Sequence, residues 1–190
     1  VTARPSDAGY RAIFDASNDA IFIHDLDTGA ILDANRRACE YSGVTLEQLQ
    51  RDALSIIANG PPPFTAERAT AFMQRAARGE PVRFEWMTYF PGTQEELWTE
   101  VSLQQVTING IDRLLAIARD IRERKAAEHA LRTSEESYRL IFRHSSDAIW
   151  LHDIETGDFL EVNDAACEMY GYTVEETKKI GVQGLSAGIP

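Results

Sequence analysis

His24-Asp25 and His152-Asp153 are, by type, the residues of this chain best equipped to hold a metal ion or pass a proton. Both pairs close the same kind of short apolar run, Asp19-Ala-Ile-Phe-Ile-His-Asp25 and Asp147-Ala-Ile-Trp-Leu-His-Asp153. Neighbouring residues on a regular strand point to opposite faces, so such a pair cannot chelate one ion. A hydrogen bond at a hairpin end is the better account of the histidine, and no metal site is expected. The two cysteines, Cys39 and Cys167, also sit in matching positions. One thiol in each setting reads as a small core residue in a reducing compartment rather than half of a disulfide. There is no Cys-x-x-Cys, His-Glu-x-x-His or phosphate-binding glycine loop. No catalytic residue is assigned, and the chain is expected not to be an enzyme.

The elements that position these residues occur twice. Residues 10–62 lie over residues 138–190 in one unbroken register. Tyr10-Arg11, Ile13-Phe14, Asp19-Ala20-Ile21, Thr28-Gly29, Asn35 and Ala38-Cys39-Glu40 return as Tyr138-Arg139, Ile141-Phe142, Asp147-Ala148-Ile149, Thr156-Gly157, Asn163 and Ala166-Cys167-Glu168. A period this long marks a tandem domain, since solenoid units run about 20–50 residues. The expected organisation is a complete unit over 1–121 with an N-terminal cap segment at 1–18, a helical linker over 122–137, and half of a second unit over 138–190. Because the second copy breaks off midway, the sequence reads as a piece of a longer protein.

Within the first unit, Asp19–Asp25 and Ala30–Ala34 form a hairpin around Thr28-Gly29. Asn35 caps a short helix that ends near Gly43. Thr45 and Gln48 have capping-box spacing, repeated at Thr173 and Glu176. Thr65 caps a longer helix, with Ala69, Phe72, Met73 and Ala76 on one face, that stops at Gly79. Three β-rich stretches follow, Val82–Phe90, Leu97–Ile108 and Ile111–Ile121, separated by Pro91-Gly92-Thr93 and Asn109-Gly110. The unit is therefore α+β: a five-stranded antiparallel sheet with helices inserted between strands two and three. From Arg122 the chain turns charged and Ala-rich, with Ala127, Leu131, Ser134, Tyr138 and Ile141 at coiled-coil spacing.

The chain is acidic, with 19 basic against 30 acidic residues and a net charge of −11. That argues against a nucleic-acid partner and against contact with an anionic membrane surface. No apolar run approaches the roughly 20 residues that span a bilayer, and no signal-peptide pattern is expected within this segment. A cytoplasmic location is expected for this segment, whatever membrane anchor the parent protein carries elsewhere.

The ordered set Tyr10-Arg-Ala-Ile-Phe14, Asp19–Asp25, Thr28-Gly29, Asn35-x-x-Ala38-Cys39, Gly79-Glu-Pro-Val-Arg-Phe-Glu-Trp86, Leu97-Trp98-Thr-Glu-Val-Ser-Leu103 and Ala118-Arg-Asp-Ile-Arg-Glu-Arg-Lys125 resembles a PAS domain. Arg122 departs from the family pattern, where Thr usually follows the Asp-Ile pair. The resemblance implies a sensory module of a multidomain bacterial signalling protein, either a histidine kinase or a cyclic-di-GMP enzyme (GGDEF diguanylate cyclase or phosphodiesterase). It implies a homodimer, a helical relay and an output domain outside this chain. A ligand-free structural relay is the alternative. Candidate pocket residues are Ile21, Ile23, Ala38, Cys39, Phe72, Met73, Phe84, Trp86, Val101 and Ala116. Candidate relay residues are Asp120, Ile121 and Leu131.

The family binds haem, flavin, small acids or nothing. Of His24, His129, His144 and His152, none falls between Thr65 and Gly79, where a haem ligand is expected. Cys39 lies on an earlier helix than a photoreactive flavin cysteine would. Non-covalent flavin stays open, with Trp86 and Trp98 as possible ring walls, but no cofactor is the leading expectation. Glu128-His129-Ala-Leu-Arg-Thr133 resembles the phospho-acceptor box of histidine kinases. It has Ala130 where an acidic residue belongs and Ser134 where Pro belongs, and reads as a linker with an exposed histidine.

Overall fold

The computed structural model describes residues 7–89 and 95–186. The chain divides into two compact units after Ala126.

The first unit opens with a helix, α1 (Asp7–Asp15), followed by strands β1 (Ala20–Asp25) and β2 (Ile31–Ala34). Helices α2 (Arg36–Ser42), α3 (Leu46–Ile57) and α4 (Ala66–Ala77) come next, then β3 (Val82–Tyr89), β4 (Glu96–Ile108) and β5 (Ile111–Asp120). The strands form one antiparallel sheet in the order β2-β1-β5-β4-β3. This is the expected five-stranded arrangement, with three helices between the second and third strands.

The local signals act as their chemistry requires. The Asn35 side chain accepts from Ala38 N, and Gly43 ends α2 in the left-handed conformation. The capping box at Thr45 and Gln48 forms in both directions, and Thr65 caps α4. Asn109 and Gly110 have φ of 52° and 80°, the two positive values that a two-residue hairpin turn demands. Phe90 and the turn expected at Pro91-Gly92-Thr93 lie outside the described residues. The core between sheet and helices is built on Leu49 and Leu114, both fully buried, with Phe22, Ile31, Tyr41, Val82, Leu97 and Leu103 around them.

The expected linker is helical and runs on beyond Ser137 as α5 (Arg122–His144). The stretch Glu135–Arg143 is the repeat counterpart of α1, which explains the extra two turns. The Tyr138–Phe142 ring pair (5.5 Å) copies Tyr10–Phe14 (5.3 Å). Leu131 and Ile141, on the expected seam, are 62% and 71% exposed.

The second unit contains β6 (Trp150–His152), β7 (Phe159–Val162), α6 (Asp164–Tyr170) and α7 (Val174–Ser186). Asn163 repeats the helix cap, and Thr173 and Glu176 repeat the capping box. Among the described residues β6 pairs only with β7, whereas its counterpart β1 also pairs with β5. The consequence is visible at matching positions: Ile23 is 7% exposed, Leu151 48%.

Candidate ligand cavity

Strand alternation sends one row of side chains from each strand toward the helices. From β1 these are Ala20, Phe22 and His24, from β5 Ala116 and Ala118, and from β4 Leu97, Thr99, Val101 and Leu103. β3 adds Phe84, Trp86 and Thr88, with Tyr89 at its end. Tyr41 and Ser42 of α2, Ile56 and Ile57 of α3, and Ala69 and Met73 of α4 close the other side. They line a partly open cavity of about 110 Å³ with an almost wholly apolar wall.

Met73, Phe84, Trp86, Val101 and Ala116, among the sequence candidates, stand in this wall. Ile21 and Ile23 do not, and the assignment is corrected by one residue. Phe22 and His24 face the helices, so period two turns both isoleucines to the other side of the sheet. Ala38 is completely buried in the packed cluster and is not in this wall; Cys39 packs against the same cluster. The Asn35 cap pins the first turn of α2 against β1, and space opens only one turn later, at Tyr41 and Ser42. Phe72 is spent stacking on Phe84, with centroids 4.0 Å apart. Leu97, Thr99 and Leu103, which sequence reasoning missed, had a signal: they alternate strictly along β4 with the expected Val101.

Most polar groups of the wall are already paired. Ser42 Oγ donates to Ala38 O (2.7 Å), Trp86 Nε1 to Ile57 O (2.9 Å) and Thr99 Oγ1 to Trp86 O (3.4 Å). His24 lies 3.0 Å from the Gly29 carbonyl through Nδ1, the hairpin-end bond expected from the sequence. Nδ1 therefore carries the proton and Nε2 is a bare acceptor. Burial pushes the His24 pKa down, with the Gly29 bond opposing it weakly. The unfolded chain takes up a proton near pH 6.5 that the folded unit refuses, so stability is full above that pH and declines below it. A thermal-melting series from pH 7.5 to 5 should show this decline, and His24→Gln should flatten it. An equal slope in the variant would assign the effect to other groups.

Beside the cavity, a strap between α3 and α4 covers the edge of β3. Asn59 Oδ1 accepts from Tyr89 N (2.8 Å) and from the Thr88 hydroxyl, while its Nδ2 donates to Tyr89 O (3.1 Å). Gly60 follows so closely that a Cβ there would overlap the Met87 carbonyl oxygen. Phe64 sits edge-on to Trp86 and Trp98, at 5.6 and 5.4 Å.

The strands that wall the cavity lead directly into α5. Ile121 N donates to Trp98 O (3.0 Å), one residue before the cavity-lining Thr99, and Ile121 is buried. Asp120 accepts from Arg122 N (2.9 Å) and from its guanidinium (2.8 Å), which also reaches Glu95 (3.3 Å). Burial raises the Asp120 pKa, but its bonds to Arg122 outweigh this and leave it lowered. Arg122, the departure from the family pattern, is thus the residue that fastens the helix start. Glu85 on β3 pairs with Arg124 (2.7 Å) and Lys125 (2.5 Å), and Lys125 lies 4.7 Å over the Trp98 ring. Asp120→Asn should cost about 1 kcal/mol of local stability. Amide exchange at residues 122–125 should then speed up about fivefold, and an unchanged rate would show the carboxylate to be dispensable.

A family model described as a PAS domain matches residues 10–78 and 136–189, well over half of the sequence. The chain belongs to the PAS domain family. Sporulation kinase E of Bacillus subtilis (strain 168) is 28% identical to this PAS chain over 166 residues, 85% of the chain and 21% of the kinase. The chain therefore spans about a fifth of that relative's length. Among solved structures, an RNA-binding light-oxygen-voltage receptor matches with a TM-score of 0.52 at 16% identity, covering 76% of this chain and 43% of that one. The PAS domain of an HTR-like protein from Haloarcula marismortui matches with a TM-score of 0.47 at 28% identity, covering 60% and 90%.

The PAS cavity, as its side chains stand, is smaller than the usual pocket for a ligand of flavin size. Pockets for ligands of that class usually run about 300–1,000 Å³, against about 110 Å³ here. Trp86 is in the wall, but Trp98 is not: it pairs in register with Met87, on the alternate row, and its indole serves Glu96 and Lys125. Among the described residues no cluster of His, Cys, Asp or Glu could hold a metal ion, and no helix is long and apolar enough to cross a membrane.

Proposed function

We propose that this chain is the non-catalytic sensory and relay segment of a multidomain bacterial signalling protein of the histidine-kinase kind. Its first PAS unit receives a small molecule, and α5 carries the state of the cavity onward to a cytoplasmic output domain, in a homodimer. The observation that supports this reading is the continuity of the cavity wall with the helix start. Thr99 and Val101 line the cavity on the strand whose Trp98 carbonyl holds Ile121, and whose Trp98 ring underlies Lys125. A ligand that fits one setting of these strands better than another would shift the helix population by its differential affinity. The likeness to Sporulation kinase E favours a kinase output over a cyclic-di-GMP enzyme.

The reading is tested by filling the cavity covalently. Ala116→Leu from the sheet, or Ala69→Leu from α4, places new methyl groups in the space. Either should change amide exchange at residues 121–126 severalfold while leaving α1 unchanged. Wild-type exchange at those residues in both folded variants would reject the relay. A ligand-free relay is favoured by the small size of the cavity. It requires that no small compound alter the same amides.

A further inference from the structure

We propose that the cavity takes a small, uncharged, single-ring compound carrying one O–H or N–H donor, of which phenol is the simplest, and that His24 reads the donor. This rests on the sensory reading above and narrows its ligand.

Size sets the first limit. An apolar protein cavity of about 150 Å³ stays dry and binds benzene, and this one measures about 110 Å³. One six-membered ring is the most it holds without rearrangement. Charge sets the second. No Lys, Arg, Asp or Glu lines the wall, so an ionic ligand would lose its hydration with nothing to replace it. The rings of Phe22, Phe84 and Trp86 stand in the wall, the last two edge to face at 5.7 Å, and offer flat apolar surfaces suited to a planar ligand.

The donor requirement comes from His24. The residue is 3% exposed and forms part of the wall, bordering a neighbouring cleft on its other side. Nδ1–H is committed to the Gly29 carbonyl, and among the described residues nothing bonds Nε2. An acceptor in an apolar wall gains most from a ligand that brings a hydrogen to it. The hydroxyls of Ser42 and Thr99 are turned away to backbone carbonyls. Toluene, phenol's near-isostere without the hydroxyl, would therefore leave Nε2 unpaired. The same ring with a hydroxyl would pair it.

Methionine ε-methyl NMR on the whole chain gives a site-specific reading. The chain has three methionines: Met73 lies in the wall, Met87 is buried away from it, and Met169 is exposed in the second unit. Phenol should move the Met73 signal to saturation and leave Met169 still, with toluene binding about tenfold more weakly. His24→Phe should erase that preference, and Ala69→Leu should abolish the response to both compounds. Should the His24 variant fail to fold, the phenol–toluene comparison on the native chain decides alone. A still Met73 signal, or toluene binding as tightly as phenol, overturns the proposal. If phenol moves Met73 and the amides of 121–126 do not respond, the ligand class stands and the relay falls. If neither compound moves Met73 while Ala116→Leu alters those amides, the relay stands and the ligand class falls.

Discussion

Asn35→Leu is expected to destabilise the first PAS unit by roughly 3 kcal/mol or more, because four hydrogen bonds, two of them fully buried, end on one side chain. Asn35 is completely buried. Its Oδ1 accepts from Ile21 N (3.0 Å) and Ala38 N (2.9 Å), and its Nδ2 donates to Phe14 O (3.0 Å) and Asp19 O (3.0 Å). One amide thus joins the end of α1, the start of β1 and the first turn of α2, and uses its full hydrogen-bonding capacity. Leucine fills similar space and satisfies none of the four groups, each costing about 1–3 kcal/mol when buried unpaired. Asn35→Asp should be no milder, since it sets a carboxylate against two carbonyl oxygens. Urea unfolding followed by tryptophan fluorescence in a Trp150→Phe background reports the first unit alone. A loss below about 1 kcal/mol would mean that water takes over the four partners. Asn163, which makes three of the equivalent bonds, to Ile149 N, Asp147 O and Ala166 N, serves as the internal comparison.

The second large effect is expected at Gly60. Any Cβ there collides with the Met87 carbonyl oxygen and lies 3.0 Å from Phe64 Cβ. Backbone gives way poorly, and such overpacking typically costs about 1–3 kcal/mol. Gly60→Ala should therefore lift the strap from the edge of β3 and loosen the Asn59 bonds to Thr88 and Tyr89. Ile56, Ile57, Thr88 and Tyr89 all line the cavity, so the lifted strap should also widen its opening to solvent. The checks are a lowered urea midpoint and faster amide exchange at Tyr89, whose N–H donates to Asn59. Wild-type behaviour in both would mean that strap and strand separate without cost.

The local elements were legible because their signals are short-range chemistry. A cap needs one side chain and one amide, so Asn35, Thr45 and Thr65 could be placed from spacing alone. The turn at Asn109-Gly110 needed two residues tolerant of positive φ. The hairpin-end role of His24 followed from the alternation that forbids His24-Asp25 to chelate. Alternation itself, though, carries no label for inside and outside. Ala20–Ile23 is apolar at every position, so the row facing the helices was chosen one residue off, and Ile21 and Ile23 took the place of Phe22 and His24.

Sequence by itself determined the repeat, the element order, the five-stranded α+β unit and the acidic net charge, since each depends on neighbours in the chain or on composition. Tertiary structure alone decided which apolar residues face empty space and which are packed solid. Ala38 and Phe72 have the right character, but Ala38 is sealed by the cap and Phe72 by Phe84. It also decided that Arg122 fastens Asp120 and Glu95, and that Glu85 meets Arg124 and Lys125 from nearly forty positions away. Such pairings, and the size of the cavity they adjoin, are fixed by how sheet and helices close on one another, and no spacing within a single segment encodes that closure.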